Sequence, residues 1–196
     1  MYRSQYFEGG RVLAAAISAI DIALHDVCGK YLNVPVYQLL GGKQRQRIPL
    51  FVTSTLDFGD EFIEHVAQLK EQGWQAIRAT TGEHGSSGKT DVFDARKSIA
   101  KAATWLSKAR EVLGNETVLG IDYHHRLTVA ETASFCQRMP TGTLDFIEEP
   151  IRDQSLVSYQ NLRTLVDVPF AIGEEFSSKW DFAPYIDSAL TNFARI

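Results

Sequence analysis

The amino-acid sequence predicts an α/β fold whose parallel sheet is arranged as a partial (β/α)8, TIM-like barrel of about six strands. Short apolar runs alternate with helix-forming segments from Ile48 to Ile196, which is the order of repeated strand–helix–strand units. Three acids, Asp122, Glu148 and Glu174, each close an apolar run, at equal intervals of 26 residues. One strand, one helix and two loops fill such an interval. An open doubly wound sheet shows the same alternation, so the pattern alone leaves both folds open.

The N-terminal region predicts one long helix over residues 11–30. Its apolar side chains recur at spacings of three and four residues, the periodicity of an amphipathic helix: Leu13, Ile17, Ile20, Leu24 and Val27. A Gly-Gly pair at positions 41 and 42 ends this pattern. We therefore divide the chain into an N-terminal region, 1–46, and a sheet region, 47–196.

The sheet region predicts strands and helices in strict alternation. Strands are predicted at 48–54, 74–80, 118–125, 144–150, 170–175 and 192–196. Helices are predicted at 60–73, 94–114, 128–139, 155–166 and 178–190. Thr128 with Glu131 has the spacing of a capping box, and the glycine-rich residues 82–92 predict a loop. This order requires a parallel sheet with right-handed crossovers.

Composition excludes several classes of function. With 196 residues, 44% hydrophobic residues and a net charge of −4, the chain is typical of a soluble globular domain. Its basic residues are not clustered, so we expect no nucleic-acid partner. Two isolated cysteines, Cys28 and Cys136, suit a reducing compartment. We find no signal-peptide pattern and expect no membrane span, which favours the cytoplasm.

The three evenly spaced acids predict a metal site. Asp122, Glu148 and Glu174 end successive parallel strands, and the carboxyl ends of barrel strands carry the active site. Carboxylates brought together repel one another and favour a cation. Oxygen ligands without cysteine suit Mg²⁺, with Mn²⁺ as the alternative. Any one acid alone is better explained by a helix cap or a surface ion pair, so the equal spacing of the three is what favours the metal.

His124 is the candidate catalytic residue. Side chains alternate along a strand, so His124 is expected on the face of Asp122, next to the metal. An imidazole there suits general acid–base chemistry, although a structural histidine or a metal ligand also fits. His125 is expected to face the other way and to pack. Glu149 and Glu175, second in their pairs, are expected to point away from the metal.

Arg78 is the candidate substrate-binding residue. It lies on the second predicted strand and shares a face with Thr80. Its planar guanidinium suits a two-pronged contact with a substrate carboxylate. An ion pair with Glu149 or Glu175 is the equally good alternative.

Several stretches resemble the enolase superfamily, in its mandelate racemase and muconate lactonizing enzyme-like branch. They are AISAIDIALHDVCGKYLNVPVYQLLGG, FIEEP and AIGEE, with Asp122 upstream. The resemblance implies a barrel preceded by the last helix of an α+β capping domain. It implies that Asp122, Glu148 and Glu174 bind Mg²⁺. The shared chemistry it implies is proton abstraction next to a carboxylate, giving an enediolate.

Within that branch, DYHH and HHRLT are similar to the acid-sugar dehydratases of the galactonate and mannonate type. The similarity implies a hydro-lyase in which His124 protonates the departing 3-hydroxyl, yielding a 2-keto-3-deoxy acid. Racemases and cycloisomerases carry Lys-x-Lys on strand two, where this chain has Arg78-Ala79-Thr80. The tyrosine of mannonate dehydratases is missing from residues 81–93. The late-strand base of galactonate dehydratases would lie beyond Ile196.

Three hypotheses follow for the whole chain, which resembles a central slice of such an enzyme. The first hypothesis is a dehydratase of a small sugar acid, or a fragment of one. The second is a racemase or cycloisomerase of the same superfamily. The third is a truncated remnant that binds metal without turnover. An uncovered sheet edge favours self-association, so we expect a homo-oligomer.

Overall fold

The computed structural model describes residues 10–81, 93–152 and 155–196. Within them six strands form a single parallel sheet, ordered as they occur in the chain. The strands are β1 (Val52–Ser54), β2 (Ala76–Thr80), β3 (Val118–Asp122), β4 (Phe146–Glu148), β5 (Phe170–Ile172) and β6 (Phe193–Ala194). The predicted α/β class with a parallel sheet is confirmed.

Helices connect consecutive strands, as right-handed crossovers between parallel strands require. Two helices precede the sheet, α1 (Gly10–Leu32) and α2 (Val36–Leu39). The others are α3 (Asp60–Glu71), α4 (Ala95–Leu113), α5 (Val129–Gln137), α6 (Leu156–Arg163) and α7 (Lys179–Asp187). The predicted capping box is present at α5, where the Thr128 side chain accepts from the Glu131 N–H and the Glu131 carboxylate accepts from the Thr128 N–H.

The core lies between the sheet and α3, α4, α5 and α6. Helix α3 buries Phe62, Val66 and Leu69, which recur at the three- and four-residue spacing of one helix face. Helix α4 buries a matching row that ends at Leu113. These helices hold the sheet from one side and leave the carboxyl ends of the strands to carry polar side chains.

The strand register aligns the polar strand ends. Asp122 pairs with Glu148 across β3 and β4, and Thr80 pairs with Asp122 across β2 and β3. Every strand is shorter than its predicted run at one end or both. As a result Glu174 lies two residues beyond Ile172, the last residue of β5, instead of inside the strand.

The chain divides into two compact units, Met1–Pro49 with Glu175–Asp181, and Leu50–Glu174 with Phe182–Ile196. The predicted division after residue 46 stays a prediction. In the first unit, α1 is long and apolar enough to cross a bilayer, by length and composition alone. The expectation that no segment approaches a membrane span is therefore wrong for α1. A buried core helix of a soluble protein and a signal sequence meet the same criteria, and Asp21 and Asp26 lie within α1.

Candidate active site

Two buried carboxylates form the centre of the site. Asp122 is the last residue of β3 and Glu148 the last residue of β4, and the side chain of each is 1% exposed. Their direct pairing in the register brings the two acids to the same edge of the sheet. Carboxylates so deeply buried need compensating positive charge.

Arg78, on β2, supplies part of that charge. Its Nη1 lies 2.6 Å from Glu148 Oε1 and 3.3 Å from Asp122 Oδ2. Its Nε donates to Thr53 Oγ1 at 3.2 Å, and the guanidinium lies 5.0 Å from the centroid of the Phe51 ring. The alternative of an ion pair with Glu149 or Glu175 is wrong, because Arg78 instead contacts the two acids predicted to bind metal.

A second arginine, Arg195, is the residue after β6 and contacts Glu148 and Glu174. Its Nε lies 2.5 Å from Glu148 Oε1, and its Nη2 lies 3.5 Å from Glu174 Oε2. Arg195 was not among the site residues predicted from the sequence. Its position could have indicated it, because NFARI was predicted as the sixth strand and Arg195 lies near its carboxyl end, where active-site residues of such sheets occur.

His124 lies beside Asp122, as predicted, but in a turn and not on a strand. Its Nε2 is 3.2 Å from Asp122 Oδ2, and its backbone N–H donates to Asp122 Oδ1 at 2.9 Å. Strand β3 ends at Asp122, and His124 has a φ of 48°. The predicted neighbourhood is therefore present, although strand alternation does not produce it.

His125 and Glu149 are also part of the site, contrary to expectation. His125 Nε2 lies 3.2 Å from Glu174 Oε1, and its Nδ1 lies 3.5 Å from Glu149 Oε2. Both residues have left-handed backbone, with φ of 60° at His125 and 39° at Glu149. Positive φ turns the side chains out of the alternation of an extended strand. The expectation that His125 faces away is therefore wrong, because its ring contacts Glu174. The expectation that Glu149 points away from the metal stays a prediction.

Glu174, the third predicted ligand, lies at the edge of the cluster. Its side chain is 31% exposed and contacts His125 and Arg195. The preceding residue, Gly173, has a φ of 128°, a value that glycine adopts without strain. The chain turns there and directs Glu174 toward the other acids.

Burial changes the proton affinity of two acids in the cluster. Burial, reinforced by the neighbouring Glu148 charge, raises the pKa of Asp122 to about 6. Burial also raises the pKa of Glu149 to about 7, although the Glu174 and Gly173 N–H groups oppose that rise. Burial therefore favours the protonated form of both acids, and a cation bound beside them would favour the ionised form.

The donors of this cluster fit a divalent metal. They are carboxylate oxygens, and Asp122 Oδ2 accepts no hydrogen bond from any described residue. Across residues 10–81, 93–152 and 155–196, however, no three metal-binding side chains are arranged as a closed ligand set. Arg78 and Arg195 lie between the acids and supply the positive charge instead. The donor chemistry therefore agrees with the predicted magnesium ligands, while their coordination stays a prediction.

Two protein-family descriptions match different parts of the chain. Residues 61–196 match the family described as "Enolase C-terminal domain-like". The chain belongs to this family. Residues 1–41 match the N-terminal domain of the mandelate racemase and muconate lactonizing enzyme family. The predicted superfamily and branch are therefore confirmed, and α1 lies within the part that matches the N-terminal domain.

Curated relatives carry dehydratase names. A D-galactonate dehydratase family member from Oceanicola granulosus is 31% identical over all of this chain and 54% of its own length. A D-mannonate dehydratase from Caulobacter vibrioides is 29% identical over 99% of this chain and 53% of its own. The chain thus spans about half the length of the curated relatives it matches.

Solved structures share the fold. The 3,6-anhydro-D-galactonate cycloisomerase from Zobellia galactanivorans superposes with a TM-score of 0.82, at 28% identity, over 99% of this chain and 51% of that protein. An enolase-family protein from Pantoea ananatis, solved with D-gluconate and magnesium, also gives 0.82, at 27% identity over 97% and 52%. The predicted partial barrel agrees with this likeness to barrel proteins.

Proposed function

We propose that the protein is a Mg²⁺-dependent acid-sugar dehydratase, or the part of one that carries the metal ligands. The observation that carries this proposal is the position of His124, whose Nε2 lies 3.2 Å from the buried Asp122 carboxylate. The imidazole can act as a proton donor. A metal ion held by the neighbouring carboxylates would bind the carboxylate of a substrate next to it. The dehydratase names of the curated relatives support the same reaction class.

The proposed ligands of Mg²⁺ are Asp122, Glu148 and Glu174. They supply the oxygen donors that Mg²⁺ prefers, and their mutual repulsion is only partly offset by Arg78 and Arg195. When bound, Mg²⁺ would supply Lewis acidity toward the carboxylate of the substrate. The magnesium-containing structure from Pantoea ananatis supports this cofactor.

His124 is the proposed general acid. Dehydration removes the proton from C2 of the sugar acid and the hydroxyl from C3, and the resulting enol tautomerises to a 2-keto-3-deoxy acid. A proton delivered from the imidazole to the 3-hydroxyl lets that group leave as water. The contact with Asp122 and the turn at φ 48° fix the position of the ring.

Arg78 is proposed to bind the substrate carboxylate. Thr53 and Phe51 hold its guanidinium in place from β1 and the residue before it, and a guanidinium so oriented matches the two oxygens of a carboxylate. We assign no base for the C2 proton among the described residues. Residues 82–92, which were predicted as a loop, lie outside the described residues.

A cycloisomerase of the same superfamily is the second candidate. The observation that favours it is the likeness to the cycloisomerase from Zobellia galactanivorans. The absence of lysine at positions 78 and 80 disfavours both a racemase and a cycloisomerase that uses a lysine base, because β2 carries no amine. A cytoplasmic location, supported by free Cys28 and Cys136, and a homo-oligomeric state complete the proposal.

The test is an assay of the protein with Mg²⁺ against D-galactonate, D-mannonate and D-gluconate, with product identified by mass spectrometry. Loss of one water from the substrate supports the dehydratase, whereas a product of unchanged mass supports the isomerase. His124→Asn is expected to lower kcat by about 10²- to 10⁴-fold. His25→Asn, on exposed α1, is the matched control and is expected to leave kcat unchanged. Undiminished dehydration by His124→Asn would remove His124 as the acid, and Mg²⁺ binding without turnover would support the remnant.

A further inference from the structure

Glu149 is hydrogen-bonded to the segment that carries Glu174. Its Oε1 accepts from the Gly173 N–H at 2.6 Å and from the Glu174 N–H at 3.0 Å. Its own N–H donates to Ala171 O at 3.0 Å. Three hydrogen bonds therefore join this one residue to the end of β5, and two of them hold the backbone immediately before the Glu174 side chain.

His125 links the same residue to the Glu174 carboxylate. Its Nδ1 lies 3.5 Å from Glu149 Oε2, and its Nε2 lies 3.2 Å from Glu174 Oε1. The ring is only 13% exposed, and the backbone N–H of His125 donates to Glu149 O at 2.7 Å. His125 thus stands between two carboxylates and fixes their separation.

This arrangement is too costly to serve packing alone. The Glu149 side chain is 0% exposed, and its Oε2 accepts no hydrogen bond from any described residue. A buried carboxylate with an unsatisfied oxygen is destabilising. Left-handed φ at Glu149 and at His125 adds backbone strain. Strain and burial of this kind concentrate at functional sites.

We propose that Glu149, acting with His125, is a positioning residue that holds Glu174 in place as a magnesium ligand. The inference rests on the proposed function, because it takes Glu174 as a ligand. Glu149 sets the backbone of residues 173 and 174, and His125 sets the carboxylate. Partners behind metal ligands orient them in this way, and their loss commonly weakens metal affinity by 10- to 100-fold.

The two ends of β4 provide a matched pair of variants. Asp145 lies just before the strand and Glu149 just after it, and each accepts backbone N–H groups from a neighbouring strand or its end. The full chain is compared as wild type, Glu149→Gln, Glu149→Ala and Asp145→Asn, with His125→Ala added. Mg²⁺ affinity is measured by calorimetry, Mn²⁺ geometry by electron paramagnetic resonance, and amide exchange by mass spectrometry.

Glu149→Ala is expected to weaken Mg²⁺ binding by about 10- to 100-fold, to alter the Mn²⁺ spectrum and to speed exchange at residues 173 and 174. Glu149→Gln retains one acceptor oxygen and should lie between Glu149→Ala and wild type. His125→Ala should weaken Mg²⁺ binding while the exchange at residues 173 and 174 stays slow. Asp145→Asn should leave metal affinity and spectrum unchanged even where it lowers stability.

Two results would overturn the inference, and they differ from each other. If both Glu149 variants bind Mg²⁺ as Asp145→Asn does, Glu149 has a structural role only, while the proposed function stands. If Glu148→Gln binds Mg²⁺ with wild-type affinity, the ligand set itself is wrong, and the positioning role fails together with the metal assignment. Glu149→Gln keeps the first comparison decisive if Glu149→Ala does not fold.

Discussion

At the scale of single residues, Asp122 is expected to make stability depend on pH. Burial, and then the Glu148 charge, raise its pKa to about 6 from the ordinary value of 3.8. Between these values the folded chain binds more protons than the unfolded chain, so the free energy of unfolding falls as pH rises through this window and levels off above it. Asp122→Asn removes this contribution, on the order of 2 kcal/mol. Urea unfolding from about pH 4 to pH 7 measures it, and an unchanged profile in the variant would contradict the prediction.

Magnesium should reverse that trend, which provides the control. Metal binding needs ionised carboxylates, so Mg²⁺ is expected to stabilise the wild type more at pH 7 than at pH 5. In Asp122→Asn the same addition should have little effect at either pH. A Mg²⁺ effect that is equal in wild type and variant would show that the ion binds elsewhere.

At the scale of elements, the turn after β5 is expected to tolerate no side chain at position 173. Gly173 has a φ of 128°, and an added Cβ would lie 2.2 Å from Phe182 Cε1 and 2.9 Å from Arg195 O. Gly173→Ala should therefore cost about 2–4 kcal/mol in unfolding free energy, by strain together with overpacking. Gly142→Ala is the matched control, since its φ is 85° and nothing lies within 4 Å of the added Cβ. Equal losses in urea unfolding would refute the overpacking.

The ends of the strands also explain what the sequence did not predict. Apolar runs located all six strands and the helices between them, because burial of a whole segment leaves a periodic trace. They did not show that β3 stops at Asp122 or that β5 stops at Ile172. Beyond those residues the backbone turns, and the alternation rule no longer assigns faces to His125 or Glu149. Positive φ at non-glycine residues leaves no signal in the sequence. The contacts of His125 with Glu149 and Glu174 were therefore found only in the structure.

At the scale of the whole molecule, charge balance joins parts of the site that are far apart in sequence. Spacing alone identified Asp122, Glu148 and Glu174, because acids at equivalent strand ends repeat with the strand–helix unit. Arg195 lies 117 positions after Arg78, yet both guanidiniums contact Glu148 Oε1. A single sequence locates the strands, but it does not show which opposite charges meet near their carboxyl ends. The family match shows only that the chain belongs to the enolase-like family.

The open edges of the sheet are expected to cause self-association of the chain. Strand β1 pairs only with β2 and β6 only with β5, so each leaves one row of backbone groups unpaired among the described strands. Leu50, just before β1, is exposed, as is Phe193 on β6. Exposed apolar edges of this kind pair with other chains. Light scattering after size exclusion is therefore expected to show oligomers that increase with protein concentration.

A charge at the edge should weaken that association. Leu50→Lys introduces the residue type that protects natural sheet edges, and it should shift the population toward monomer. Val157→Lys is the matched control, because Val157 is an apolar residue of similar exposure on α6, away from both edges. If both variants associate as the wild type does, the contact is not made through the β1 edge. A monodisperse wild-type monomer with a cooperative thermal transition would contradict self-association itself, and would mean that the two edges are protected by their own flanking segments.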